Sequence, residues 1–131
     1  MADDHCLITD GHSFPALPLP YELNQRALRP DFCLGTDDFH TSEELVATVE
    51  KELQSLGYST ARDQPFSGTI VPMKHYRKDQ RVQSLMIEIN RWLYLAEDYS
   101  VDSGRTKSLV SVLRRVGKVP VKNYFFILFS C

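Results

Sequence analysis

Two short runs carry the residue types that hydrolytic chemistry needs. The first is Asp10-Gly11-His12-Ser13, which follows the apolar run Cys6-Leu7-Ile8-Thr9. An apolar run closed by glycine reads as a buried strand, here Cys6 to Asp10 ending at Gly11. A histidine just past such a strand sits where open α/β sheets keep their ligands. Gly11 lets the backbone turn tightly, and neutral imidazole is a common zinc ligand. Alone the run decides little, because a single histidine is more often a structural residue. The second run is Ser84 to Arg91, with Glu88 set among apolar residues. Strand alternation puts Leu85, Ile87 and Ile89 on one face and Met86, Glu88 and Asn90 on the other. Unpaired burial of a carboxylate is costly, so Glu88 needs a reason to be there. It either faces solvent or pairs with a neighbour such as Arg91, or it faces a cleft where burial and a cation tune it as a general base.

The loop from Gln64 to Thr69 is a third candidate, since Gly68 permits close approach of a ligand to the backbone. A plain connection between strands explains it equally well. His5 and His12 are separated by an odd number of residues, so a continuous strand turns them to opposite faces. His40 and His75 stand in polar contexts and read as solvated. Ser13 beside His12 has no third partner at triad spacing.

The elements that must position these residues are legible in outline. Pro15, Pro18, Pro20 and Pro30 make the stretch from Phe14 to Pro30 an irregular surface excursion, since proline lacks a backbone donor. Phe32-Cys33-Leu34 reads as a short strand closed by Gly35. Ser42 is a helix-capping candidate, although Leu45 leaves its capping box incomplete. Leu45, Val49, Leu53 and Leu56 recur at helical spacing until Gly57 supplies a stop. Tyr58 to Ala61 begins a strand, Asp63 to Gly68 is a loop, and Ile70-Val71 reads as further strand. Leu109, Val112, Leu113 and Val116 indicate a second amphipathic helix. The run Tyr124 to Phe129 is apolar and too short to cross a bilayer, and reads as a buried terminal strand, or an association surface if exposed. Strand, helix, strand in this order predicts an α/β layered architecture.

The chain has 131 residues, which suits one compact domain over 1–131. Fifteen basic residues against seventeen acidic ones leave a formal charge of −2, which gives no support for a nucleic-acid or anionic-membrane partner. No apolar run approaches the roughly 18 residues of a membrane span. Met1-Ala2-Asp3-Asp4 is acidic, the opposite of a secretory leader. Cys6, Cys33 and Cys131 show no metal-binding spacing, and a reducing, cytoplasmic location is expected.

Four motifs occur in an order that resembles the N-formylglutamate amidohydrolase (deformylase) family: Asp10-Gly-His-Ser-Phe-Pro15, Arg29-Pro-Asp-Phe-Cys-Leu-Gly35, Pro65-Phe-Ser-Gly-Thr69 and Ile87-Glu-Ile-Asn-Arg91, continued by Trp92-Leu-Tyr94. The resemblance runs from about residue 7 to 97 and is to the C-terminal half of the family domain; residues 98–131 are undiagnostic. It implies a mixed sheet flanked by helices, of the zinc-carboxypeptidase (phosphorylase/hydrolase-like) type, here incomplete. It implies zinc held by two histidines and a carboxylate, with His12 the last ligand and Glu88 the general base. The reaction implied is hydrolysis of N-formyl-L-glutamate to formate and glutamate, a small N-acyl amino acid substrate. Asp10 would support the site from behind, Arg91 would take a substrate carboxylate, and Gly68 and Thr69 would line the pocket. The family's first two ligands lie upstream of the matched segment, so the expectation is a truncated or divergent chain. The alternatives are a non-catalytic interaction module that keeps the fold, and a chain completed by a partner in an oligomer.

Overall fold

The computed structural model describes residues 5–26, 28–118 and, as backbone, 124–130. Met1 to Asp4 and Cys131, which entered the reading of leader and redox compartment, lie outside the described residues. Among the described residues, five strands form one mixed sheet: β1 (His5–Phe14), β2 (Phe32–Gly35), β3 (Thr60–Arg62), β4 (Val82–Asn90) and β5 (Tyr124–Ser130), in the order β3-β2-β4-β1-β5. β1 runs parallel to both β4 and β5, β2 runs antiparallel to β4, and β3 is parallel to β2. Two helices, α1 (Glu43–Ser55) and α2 (Ser103–Gly117), complete the α/β architecture.

Both helices cover the same face of the sheet. Leu45, Val46, Val49 and Leu53 of α1 and Leu109, Val112 and Val116 of α2 form one core with Leu7, Phe32, Leu34, Leu85 and Ile87. The alternation read from β4 therefore holds: Leu85 and Ile87 point at the helices, and Met86 and Glu88 point away. That second face is covered by connecting chain, with Val71 packed against Ile8 and Val82. β4 is consequently buried on both faces, which explains its unbroken apolar character.

α1 begins where its cap predicted. The Ser42 side chain accepts from the Leu45 backbone N–H at 3.2 Å, and Glu43 and Glu44 occupy the first turn. Ser42→Ala is expected to cost about 1 kcal/mol, read as a shift in the urea midpoint at unchanged m-value. Gly57 adopts φ 91°, the left-handed conformation that ends the helix. α2 starts after Asp102, whose carboxylate accepts from the Arg105 N–H at 2.9 Å.

Three readings change. β1 does not stop at Gly11: Ser13 and Phe14 stay paired with Ile89 and Asn90. Parallel partners on both sides hold Gly11 extended, so His12 stands inside the strand rather than beyond it. Ile70-Val71 forms no strand, because β1 and β2 already occupy both edges of β4. The segment is instead pinned by Ser84, whose hydroxyl donates to the Ile70 carbonyl and meets the Thr69 hydroxyl, both at 2.7 Å. His40 is not solvated but fully buried. Its Nδ1 donates to the Val82 carbonyl at 2.7 Å and its Nε2 accepts the Arg77 amide at 2.8 Å, which fixes a neutral ring. A locally polar sequence hid this role, since both partners come from about forty residues away. The terminal apolar run is a strand as expected; its side-chain burial lies outside the described residues.

Candidate active site

Parallel pairing brings the two chemical runs together. His12 on β1 is the register partner of Glu88 on β4, and Glu88 is in turn the partner of Cys33 on β2. Directly paired residues share a face, so His12, Glu88 and Cys33 form a row across three neighbouring strands on the helix-free side. The row lies near the carboxyl ends of β1 and β4, the end at which α/β sheets bind ligands. Asp10, two residues back on β1, reaches the row: its Oδ1 lies 2.8 Å from His12 Nε2, and its side chain is buried.

Arg91 joins from the strand end. Asn90 caps the short 3-10 turn Arg91–Leu93, accepting from the Trp92 N–H at 3.2 Å and donating to the Pro30 carbonyl at 3.0 Å. Arg91 is thereby directed over β1, where Nε donates to Ser13 Oγ at 3.3 Å and Nη2 to the Ser13 carbonyl at 3.5 Å, while the residue as a whole is exposed. Gly68 sits one row away, its carbonyl against Gly35, the partner of Met86. Thr69 is not brought to the row. Its hydroxyl meets Ser84, four residues or about 13 Å up β4 from Glu88.

Glu88 is 8% exposed, and its Oε2 is buried with no hydrogen-bond partner. Burial pushes its pKa above the ordinary value; His12 and Arg91 draw it down, and Asp10 pushes it up. The solvated reading of Glu88 therefore does not apply, and among the described residues no cation lies within ion-pair distance of it. A carboxylate whose pKa is raised by burial, beside an imidazole in register, has the placement of a general base.

Cys33, which the sequence shows only as part of a short strand, is the third member of the row. It is fully buried, and its Sγ donates to the Phe66 carbonyl at 3.1 Å. Burial, with the nearby Glu88 charge, pushes the thiol up to about 11 from 9.0. The raised value adds stability below pH 9 that is lost as pH climbs through about 11. At pH 8 an alkylating reagent is expected to modify Cys6 while Cys33 reacts on the order of a hundredfold more slowly until denaturant is added. Comparable rates at both thiols in the native chain would contradict this placement.

Asp63 and Arg29 were missed as well. Asp63, at φ 55°, organises the loop over the row: Oδ1 accepts from the Thr36 N–H at 2.8 Å and the Gly68 N–H at 3.3 Å, and Oδ2 from the Thr36 hydroxyl at 2.6 Å. Arg29 is buried between aromatic rings at the same end of the sheet. Arg29 opens one of the motifs already singled out and Asp63 stands just before another, but spacing alone does not show which atoms they hold. A groove of about 620 Å³, lined by Tyr58, Trp92, Leu93, Arg105 and Leu109, opens on the opposite, helix-covered side and is separate from this row.

The donor set does not complete a zinc centre. The row offers one imidazole, already engaged by Asp10, and among the described residues no group of three His, Cys, Asp or Glu side chains could hold a metal ion. Catalytic zinc typically needs three protein ligands.

A family model described as N-formylglutamate amidohydrolase matches residues 1–95. The chain belongs to the N-formylglutamate amidohydrolase family. The crystal structure of N-formylglutamate amidohydrolase from Ralstonia eutropha JMP134 is similar to it, with a TM-score of 0.59 and 27% identity over 88% of this chain. That alignment covers 45% of the Ralstonia protein, so this family member spans less than half of its length. No curated protein matches the chain. Among the described residues no helix is long and apolar enough to cross a membrane.

Proposed function

We propose that this chain carries the proton-transfer and substrate-orienting part of an amidohydrolase site acting on N-formyl-L-glutamate, in a zinc-carboxypeptidase-like fold. The observation that carries the reading is the buried Glu88 carboxylate, its Oε2 without a hydrogen-bond partner among the described residues, in register with His12. In its ionised form Glu88 accepts a proton from the attacking water, whose oxygen bonds to the formyl carbon. As the C–N bond breaks, the proton passes to the leaving nitrogen, and formate and glutamate separate. Arg91 offers guanidinium donors to a substrate carboxylate, since its fork matches carboxylate geometry. Asp10 holds the His12 ring through Nε2 and so fixes its orientation. Zinc is the implied cofactor, with His12 its imidazole donor from this chain; further donors would have to come from outside the described residues. Free Cys6 and Cys33 suit a cytoplasmic location.

The decisive measurement is formate release from N-formylglutamate, with and without added zinc, together with metal content. Turnover that requires Glu88 supports the reading; zinc binding without turnover under any condition counts against it. A second reading, completion of the site by another polypeptide, is favoured by the single imidazole in the row and by the exposed Leu17, Tyr21, Leu23 and Leu28 in the stretch that carries Arg29. It predicts a zinc-dependent increase in molecular size by light scattering. A non-catalytic module that keeps the fold predicts neither turnover nor metal uptake.

A further inference from the structure

The guanidinium of Arg29 is almost wholly enclosed, with its side chain 1% exposed. Nη2 donates to the Glu22 carboxylate and, at 3.3 Å, to the Asn24 carbonyl; Nη1 donates to the Pro15 carbonyl at 3.1 Å. All these acceptors belong to the proline-rich strap over residues 15–26. The guanidinium also lies over two rings, 5.8 Å from the centre of Phe14 and 5.6 Å from that of Phe66, which are 5.7 Å apart.

Those two rings belong to different walls of the site. Phe14 ends β1 two residues beyond His12 and on the same face. Phe66 belongs to the loop that carries Gly68, and its carbonyl receives the thiol of Cys33, the register partner of Glu88. An apolar side chain would fill this space without burying a charge. Only a planar fork supplies flat stacking surface for the rings together with a fixed edge of donors for the strap; the lysine ammonium donates from a single point and has no flat face.

We propose that Arg29 is a positioning residue that locks the 15–26 strap and the 63–69 loop into one unit and so sets the wall beside Glu88. Its purpose at the site rests on the amidohydrolase reading; the mechanical coupling does not. Coupling of this kind is reciprocal, so loosening either segment loosens the other.

Two variants away from Arg29 test it. Glu22→Gln touches neither Phe66 nor Cys33, yet it is expected to raise the alkylation rate of native Cys33 about tenfold, a typical coupling size, with α1 amides protected as in the wild type. Phe66→Leu is expected to raise hydrogen exchange across residues 15–26 by about tenfold. If each change loosens only its own segment, the proposal is overturned. In the turnover assay Arg29→Lys is expected to raise KM about tenfold with kcat within about threefold, because substrate meets a displaced wall while the base is intact. A fall in kcat at unchanged KM overturns it equally. A wild-type chain that releases no formate counts against the amidohydrolase reading alone, since the alkylation and exchange measurements decide the role of Arg29 without turnover.

Discussion

Glu88→Gln is expected to slow formate release by roughly 10²- to 10⁴-fold, the range over which a positioned acid–base group contributes. Glutamine keeps the shape of the side chain but cannot take a proton, so substrate binding through Arg91 should persist and KM should change little. The same change is expected to leave the fold at least as stable at neutral pH. Burial raises the Glu88 pKa in the folded chain above its unfolded value. A carboxyl group shifted in that direction favours folding fully below its unfolded pKa, and the benefit is lost as pH rises through the folded value. At pH 7 the raised pKa of the wild-type group therefore works against folding, and among the described residues its buried Oε2 has no hydrogen-bond partner to offset this. The melting temperature of Glu88→Gln relative to wild type should consequently increase from pH 4 to pH 7. A variant that loses stability at pH 7 while retaining turnover would remove Glu88 from the site.

The sequence carried more of this site than its spacing suggests, and the reasons are physical. Period-two alternation placed Glu88 opposite the helix-facing Leu85 and Ile87, and the structure keeps that division. The His12 and Glu88 runs were both legible, but their pairing depends on β1 and β4 being neighbours and in register. No local signal fixes that, because seventy-odd residues separate them and the choice is made by burial of both strands. His40 failed for the same reason: its partners, Val82 and Arg77, lie far along the chain, and a polar neighbourhood concealed a fully buried ring. Ile70-Val71 failed because strand propensity cannot reveal that both edges of β4 are taken. Cys33 shows in the sequence only as part of a short strand because a thiol looks apolar. Only its cross-strand position opposite Glu88 gives it a part in the electrostatics.

Gly35→Ala extends the same reasoning to the loop above the row, and it should be among the most damaging single-atom additions in the chain. A Cβ at position 35 would stand 2.1 Å from the Gly68 carbonyl oxygen and 2.4 Å from the Met86 side chain. The methionine end is flexible and can yield, but the carbonyl is backbone. It belongs to a loop tied at Gly68 N–H to Asp63 and at the Phe66 carbonyl to Cys33. Relief therefore requires the whole 63–69 segment to lift off β2. Overpacking of this kind costs about 3 kcal/mol at the upper end of its usual range, or roughly 10 °C in melting temperature for a chain of this size. Lifting the loop also uncovers the Cys33 thiol and lets water reach Glu88, so Cys33 alkylation should accelerate and the Glu88 pKa should fall towards its ordinary value. Stability loss without faster Cys33 alkylation would show that the loop does not seal this row, and that the desolvation of Glu88 has another source.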